Sequence, residues 1–239
     1  MTRYAYLRNK ALMSAAVVAL CVLSVANAQL GPNLVTNGGF ETPRGDNNWG
    51  RNPATWFAGE TFDGWTVTQG SIDLKTSGVF PIGARASYEG TQHVDLNGSP
   101  GVGGISQDIT ISASGVYRLS FALSANTDAA EPDNASPRIV RVRLTSGATD
   151  VFNSTFTWRL ADHPGHDPSN SPSWVLHQVD LLVPTTGVYT LSFTSETTTN
   201  SSFGPMIDDV RLQLVPEPAS LMALGAGLAG LLGLRRRKR

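Results

Sequence analysis

The feature that most limits how this chain can fold is a strict two-residue period, met twice in nearly the same words. Gly115 to Phe121 reads Gly-Val-Tyr-Arg-Leu-Ser-Phe, and Gly187 to Phe193 reads Gly-Val-Tyr-Thr-Leu-Ser-Phe. In each copy Tyr, Leu and Phe fall on alternate positions, so an extended chain carries them on one face with polar side chains opposite. That is a half-buried strand. Each copy follows another strand-like run, Ile105 to Ile111 and Val175 to Val183, across the short turns Ser112-Ala113-Ser114 and Pro184-Thr185-Thr186. The spacing predicts two similar hairpins.

Further strands are expected at Trp65 to Thr68, Ile72 to Leu74, His93 to Leu96, Arg138 to Leu144, Val151 to Phe156 and Met206 to Leu214. No stretch between residues 29 and 214 carries helical periodicity. Many short strands punctuated by Gly, Pro, Asn and Ser predict an all-β fold, a single antiparallel β-sandwich of jelly-roll type.

The two ends differ from this middle. Arg3, Arg8 and Lys10 precede an apolar stretch from Ala11 to Val25, and Ala26-Asn27-Ala28 has a small-x-small form. This predicts a signal peptide over residues 1–28, cut by signal peptidase after Ala28 with Ala26 and Ala28 as the recognised pair. At the far end Val215-Pro216-Glu217-Pro218 leads into the apolar run Ala219 to Leu234, and Arg235 to Arg239 closes the chain with five cations. As a helix the run would span about 24 Å, somewhat short of a hydrocarbon core of about 30 Å. It reads as a short transmembrane helix whose terminal cations reach the headgroups and stay cytoplasmic.

Between the ends lie 186 residues, Gln29 to Leu214, enough for one domain with a sizeable core. The only cysteine, Cys21, falls in the leader, so the mature part has no disulfide, thiolate nucleophile or cysteine metal site. Eight of the 18 cations sit in the ends, which leaves 10 Lys and Arg against 18 Asp and Glu, a net charge of about −8. Such a surface argues against nucleic acid or anionic membrane as its partner and suits neutral glycans or divalent cations.

The domain opens with Asn33-Leu34-Val35-Thr36-Asn37-Gly38-Gly39-Phe40-Glu41 and closes with Met206-Ile207-Asp208-Asp209-Val210-Arg211-Leu212. Asp208 is in phase with Val210, Leu212 and Leu214, which points it to the core side, where a carboxylate needs hydrogen-bond donors, a cation or a metal. Glu41 could share a metal with it if the first and last strands lie side by side, and calcium, a hard ion taking oxygen ligands, suits such a pair. Equally, Asp208 could cap backbone amides in a turn with Glu41 solvated. Both readings stay open at this level.

Ligand contact is expected from the stretch Thr42 to Glu60, where Trp49, Trp56 and Phe57 lie among polar residues including Asn47, Asn48 and Arg51. A sugar ring stacks on such side chains as apolar surface does; the competing reading is that they plug the core. Trp65, Trp158 and Trp174 sit near strands and read as core, and Tyr88 fits either role. Asp162-His163-Pro164-Gly165-His166-Asp167 offers four potential ligands, but its Pro and Gly mark a solvated turn. There is no His-Glu-x-x-His, no Gly-x-Ser-x-Gly and no phosphate loop, so the expectation is a non-catalytic protein. A glycoside hydrolase is the enzyme alternative, because two carboxylates need no signature.

Three resemblances add to this. The Pro-Glu-Pro, apolar run and basic end, in a chain with a leader, resemble the PEP-CTERM sorting tail of Gram-negative bacteria. That implies transient anchoring in the inner membrane, processing near Pro216, Glu217 and Pro218 by an exosortase-type protease, and delivery to the cell surface or extracellular matrix. The opening and closing motifs, with Gly64-Trp65, resemble galactose-binding-like sandwiches that include many carbohydrate-binding modules; this implies Glu41 and Asp208 as ligands of a structural calcium. Gly90-Thr91-Gln92-His93-Val94-Asp95-Leu96-Asn97-Gly98, then Gly104-Ile105-Ser106-Gln107, the repeated strand and Trp174 resemble the choice-of-anchor bacterial proteins and the related plant cell-wall domain of unknown function. That implies contact with cell-wall or matrix polysaccharide, without catalysis. The alternative is a structural or adhesive matrix protein that binds other proteins.

Overall fold

The computed structural model describes residues 29–42, 54–76, 86–98, 101–127, 136–167, 172–197 and 202–217. The sequence readings placed on Ala26, Ala28, Trp49, Pro218, the apolar run 219–234 and the basic end lie outside these. Pro32–Leu214 forms one compact unit.

Fourteen strands are present among the described residues: β1 (Ala54–Phe57), β2 (Thr61–Phe62), β3 (Trp65–Gln69), β4 (Ser71–Thr76), β5 (Gln92–Asp95), β6 (Asn97–Gly98), β7 (Gly101–Val102), β8 (Gly104–Ile111), β9 (Gly115–Ala125), β10 (Arg138–Ser146), β11 (Thr149–Trp158), β12 (Val175–Val183), β13 (Gly187–Ser195) and β14 (Pro205–Leu214). One six-stranded antiparallel sheet runs β1-β4-β5-β14-β9-β12, and a second runs β11-β10-β13-β8-β3-β2. Their inner faces share one core. Leu119, Phe121 and Leu123 from the first sheet bury against Leu191, Phe193, Val140 and Val142 from the second, with the Phe121 and Phe193 rings edge-on at 5.3 Å. The all-β sandwich expected from the two-residue period is what the chain forms.

The two expected hairpins are not hairpins. β8 pairs with β13 rather than with β9, and β9 pairs with β12 rather than with β8. Each short turn therefore carries the chain across the sandwich to the other sheet, and the two copies exchange partners. The repeated motif explains the crossing. Tyr117 Oη donates to Ala113 O at 2.8 Å and Tyr189 Oη donates to Thr185 O at 2.8 Å, so each tyrosine ties its strand to a carbonyl four residues back. Gly115 and Gly187, with φ of 150° and 149°, turn where a side chain would be strained. The outward valine between glycine and tyrosine stays exposed in both copies. Tyr189→Phe should cost about 1 kcal/mol, the value of one such bond, in urea unfolding; a loss below measurement error would deny the corner its role.

A second departure concerns β14. Its register against β9 shifts between Asp208 and Arg211, and Asp209 sits at φ 48°. This bulge resets the alternation. Ile207, Val210 and Leu212 enter the core, while Asp208 shares the outer face with Met206. The expected inward phase of Asp208 is thus wrong and its expected burial right, because a turn covers it from outside.

Candidate functional site

The opening segment lies along the last strand. Leu34 N–H donates to Leu212 O at 3.0 Å and Val210 N–H to Gly38 O at 2.9 Å, while the Asn33 carboxamide oxygen accepts from Leu212 N–H at 2.9 Å. Asn37 and Phe40 take left-handed backbone angles, φ 49° and 58°, and close a tight turn between them. Phe40 drops into the core with its ring 5.5 Å from that of Trp65, whose indole N–H bonds to Asn37 O at 3.1 Å. This turn delivers Glu41 to the surface.

Glu41 and Asp208 grip the same stretch of backbone. Glu41 accepts from Thr91 N–H, Gln92 N–H and the Thr91 hydroxyl, all at 2.8 Å. Asp208 accepts from Tyr88 N–H at 2.8 Å, Glu89 N–H at 2.9 Å and Asp209 N–H at 2.7 Å. Between the two sets Gly90 has φ 59°, and a Cβ there would come within 2.3 Å of Glu41 Oε1. Only glycine fits.

Burial pushes the Asp208 carboxyl up to about 8, against the three N–H donors, which hold it down, and with the Asp209 charge raising it further. Glu89, beside them, is also raised, first by burial and then by the charge of Asp209. Arg211 reaches Asp209 at 2.6 Å and Glu89 at 3.9 Å. Asp209 and Glu89 thus share one guanidinium, while Asp208 and Glu41 hold the same turn through its N–H groups. In charge this group fits a divalent cation. In coordination it does not close a shell: Glu41 and Asp208 are turned to N–H donors, and among the described residues no three of His, Cys, Asp or Glu converge on a metal position.

Next to the turn, the outer face of the first sheet carries a buried polar layer. Asp73 lies opposite Asp95 and Lys75 opposite His93 across β4 and β5. Lys75 Nζ is 3.0 Å from Asp95 Oδ2, with both side chains almost fully buried. Asp95 also accepts from Asn97 N–H, Gly204 N–H and the Asn126 carboxamide, which ties three connections to one carboxylate. Trp174 and Tyr88 stand at the edge of this layer, with ring centroids 6.3 Å apart and edge to face. The Trp174 indole N–H bonds to Ala86 O at 3.0 Å and its ring lies 5.5 Å from His93. Tyr88 is 42% exposed.

Of the three aromatics expected to meet ligand, Trp49 lies outside the described residues. Trp56 and Phe57 belong to an edge strand, β1, in a stretch whose lack of alternation had suggested loop. Trp56 lies half-buried against the core, 5.4 Å from Phe62. Phe57 alternates outward and is 48% exposed. The Tyr88 and Trp174 pair was missed because the two residues are 86 positions apart, and only the topology brings them together. The Asp-His-Pro-Gly-His-Asp stretch is not the free turn expected: His163 and His166 pack on Trp158 at 4.7 and 4.5 Å, and His166 Nδ1 accepts from Ser173 N–H.

Fold and motifs together define a two-sheet, all-β head with a sorting signal: residues 214–238 match the PEP-CTERM protein-sorting motif, which marks an exported, surface-sorted protein. Residues 33–213 match DUF642, a protein family of unknown function, and the chain belongs to that family. Among solved structures it is similar to TmCBM61 in complex with β-1,4-galactotriose, at 14% identity and TM-score 0.46 over 76% of this chain and 98% of that one. It is similar also to a family 35 carbohydrate-binding module from Clostridium thermocellum, at 16% identity and TM-score 0.40 over 62% and 90%. The K2 cleaved adhesin domain of Lys-gingipain aligns at 14% identity and TM-score 0.41 over 74% and 96%. No curated protein matches the chain.

Proposed function

We propose that this is a surface or matrix protein that binds polysaccharide without cleaving it, and that Tyr88 and Trp174 form its contact platform, with Phe57 as a second point. The observation that carries this is the pair itself. The Tyr88 ring is exposed beside the half-buried Trp174, whose indole N–H is tied to Ala86 O, so the indole has little freedom to lose when a sugar stacks on it. The acidic head favours a neutral glycan over an anionic one.

Affinity electrophoresis and a glycan array decide the matter. Trp174→Ala and Tyr88→Ala should each weaken retention on the bound glycan by about tenfold or more, the usual effect of removing an aromatic anchor. Unchanged retention of both variants on every ligand bound by the parent would overturn the platform. Release of reducing sugar by the purified protein, lost on mutating one acid, would replace binding by glycoside hydrolysis.

Two further parts belong to this reading. Calcium would be held at the acidic turn by Glu41 and Asp208, where it would take up the charge of their carboxylates in place of the N–H donors they now meet. The apolar run 219–234 would anchor the exported chain in the inner membrane of a Gram-negative cell until an exosortase-type protease acts near Pro216, Glu217 and Pro218.

A further inference from the structure

We propose that the end of the sandwich from which the sorting segment departs is a bilayer-contacting face, which rests on the lipid headgroups while that segment is attached. The inference rests on the anchoring reading of residues 219–234. It starts from where exposed apolar side chains lie. Val116, Leu182 and Val188 are 41, 66 and 57% exposed. All three are at one end: Val116 stands opposite Leu182 across β9 and β12, and Val188 is the second residue of β13, whose first residue pairs with the last of β8. The corner turns 112–114 and 184–186 emerge here, as does the tip between β10 and β11 at Gly147-Ala148.

Charge is missing from the same end. Residues 112–116, 145–149 and 182–188 contain no Asp, Glu, Lys or Arg, in a domain with 18 acids and 10 bases. The first charges met moving inward are Asp108, which accepts from the Thr190 hydroxyl at 2.7 Å, and the pairs Arg118 with Asp180 and Arg143 with Asp150, each at 2.7 Å. An acidic protein is repelled by an anionic bilayer, and the penalty rises with the charge brought within a Debye length. This end combines three exposed apolar side chains with uncharged turns, so it can approach a membrane and place Leu and Val side chains in the interfacial region.

Chain geometry puts it there. Leu214, the last residue of β14, lies opposite Tyr117, and a Cβ on Gly115 would meet Leu214 Cδ1 at 3.2 Å. Only four residues, 215–218, separate Leu214 from the apolar run. Those four reach at most about 14 Å. The opening segment arrives at the same end, since Leu34 pairs with Leu212. A head tethered so closely by this end cannot hold it far from the headgroups.

The test is hydrogen exchange by mass spectrometry on the full chain in vesicles of phosphatidylethanolamine and phosphatidylglycerol, compared with the same chain after proteolytic removal of the tail. Exchange at 112–116 and 182–188 should be about tenfold slower in the vesicle-bound chain, with residues 86–93 unchanged. In the Leu182→Asp, Val188→Asp double variant the slowing should vanish while the melting temperature holds. Slow exchange over 219–234 with no slowing at the two turns overturns this proposal alone. Unprotected 219–234 overturns the anchoring reading and this proposal with it. Protection that depends on protein concentration after tail removal assigns the patch to a second copy and overturns lipid contact.

Discussion

Asp95→Ala should destabilise the head by about 4 kcal/mol, enough to lower its melting temperature by roughly 10 °C. The carboxylate is fully buried and has four partners: the Lys75 ammonium, Asn97 N–H, Gly204 N–H and the Asn126 carboxamide. Removing it leaves a lysine charge in a site that is only 5% exposed, and two backbone N–H groups lose their acceptor. Lys75→Met should cost much less, since Asp95 keeps its three hydrogen bonds and a thioether fills the stem's volume. The double variant should recover part of the loss, because it no longer buries an unpaired cation. Calorimetry of the three variants is the measurement, and strictly additive costs would show that Lys75 and Asp95 do not depend on one another.

Asp208→Ala should be nearly as severe, at about 3 kcal/mol, through the three N–H groups it deprives and the loosening of the 88–92 turn. Here pH supplies a second handle. The carboxyl is raised in the folded state from an ordinary value near 3.8 to about 8. Folding therefore favours the protonated form, and the stability this group contributes is fully present below its ordinary value and is lost as pH rises toward 8. Without divalent ions the melting temperature should fall between pH 5 and 8 by an amount that Asp208→Ala abolishes. Millimolar calcium should reverse the fall in the parent and leave Asp208→Ala unmoved. A parent whose melting curve ignores both calcium and chelator would remove the ion from the reading and leave Asp208 as a clamp on the turn.

Local chemistry wrote much of this into the sequence, and topology wrote the rest. The alternation of Tyr117, Leu119 and Phe121 dictates a strand with one buried face whatever its partner, so strand positions and the all-β class were legible. Which strand pairs with which was not. A turn such as Pro184-Thr185-Thr186 looks the same whether it folds back in one sheet or crosses to the other, and the difference lies in the Tyr189 hydroxyl reaching Thr185 O. Asp208 shows the same limit at finer scale. Its burial followed from an acid set among apolar residues, but its direction depended on a bulge made by the left-handed backbone of Asp209, which no alternation announces. Trp56 and Phe57 show it again, since a short edge strand leaves one ring inward and the other outward.

The exchanged corners also govern when the molecule can become whole. β8 waits for β13, which begins 76 residues after β8 ends, and β9 waits for β14, which fills the place between it and β5. Neither half of the polypeptide owns a finished layer, so a chain threaded outward from its amino end remains unable to condense until nearly all of it has passed. The last strand, β14, runs directly into the sorting motif. Connectivity alone therefore sets an order, in which the sorting motif is completed only after the strand that closes the first sheet.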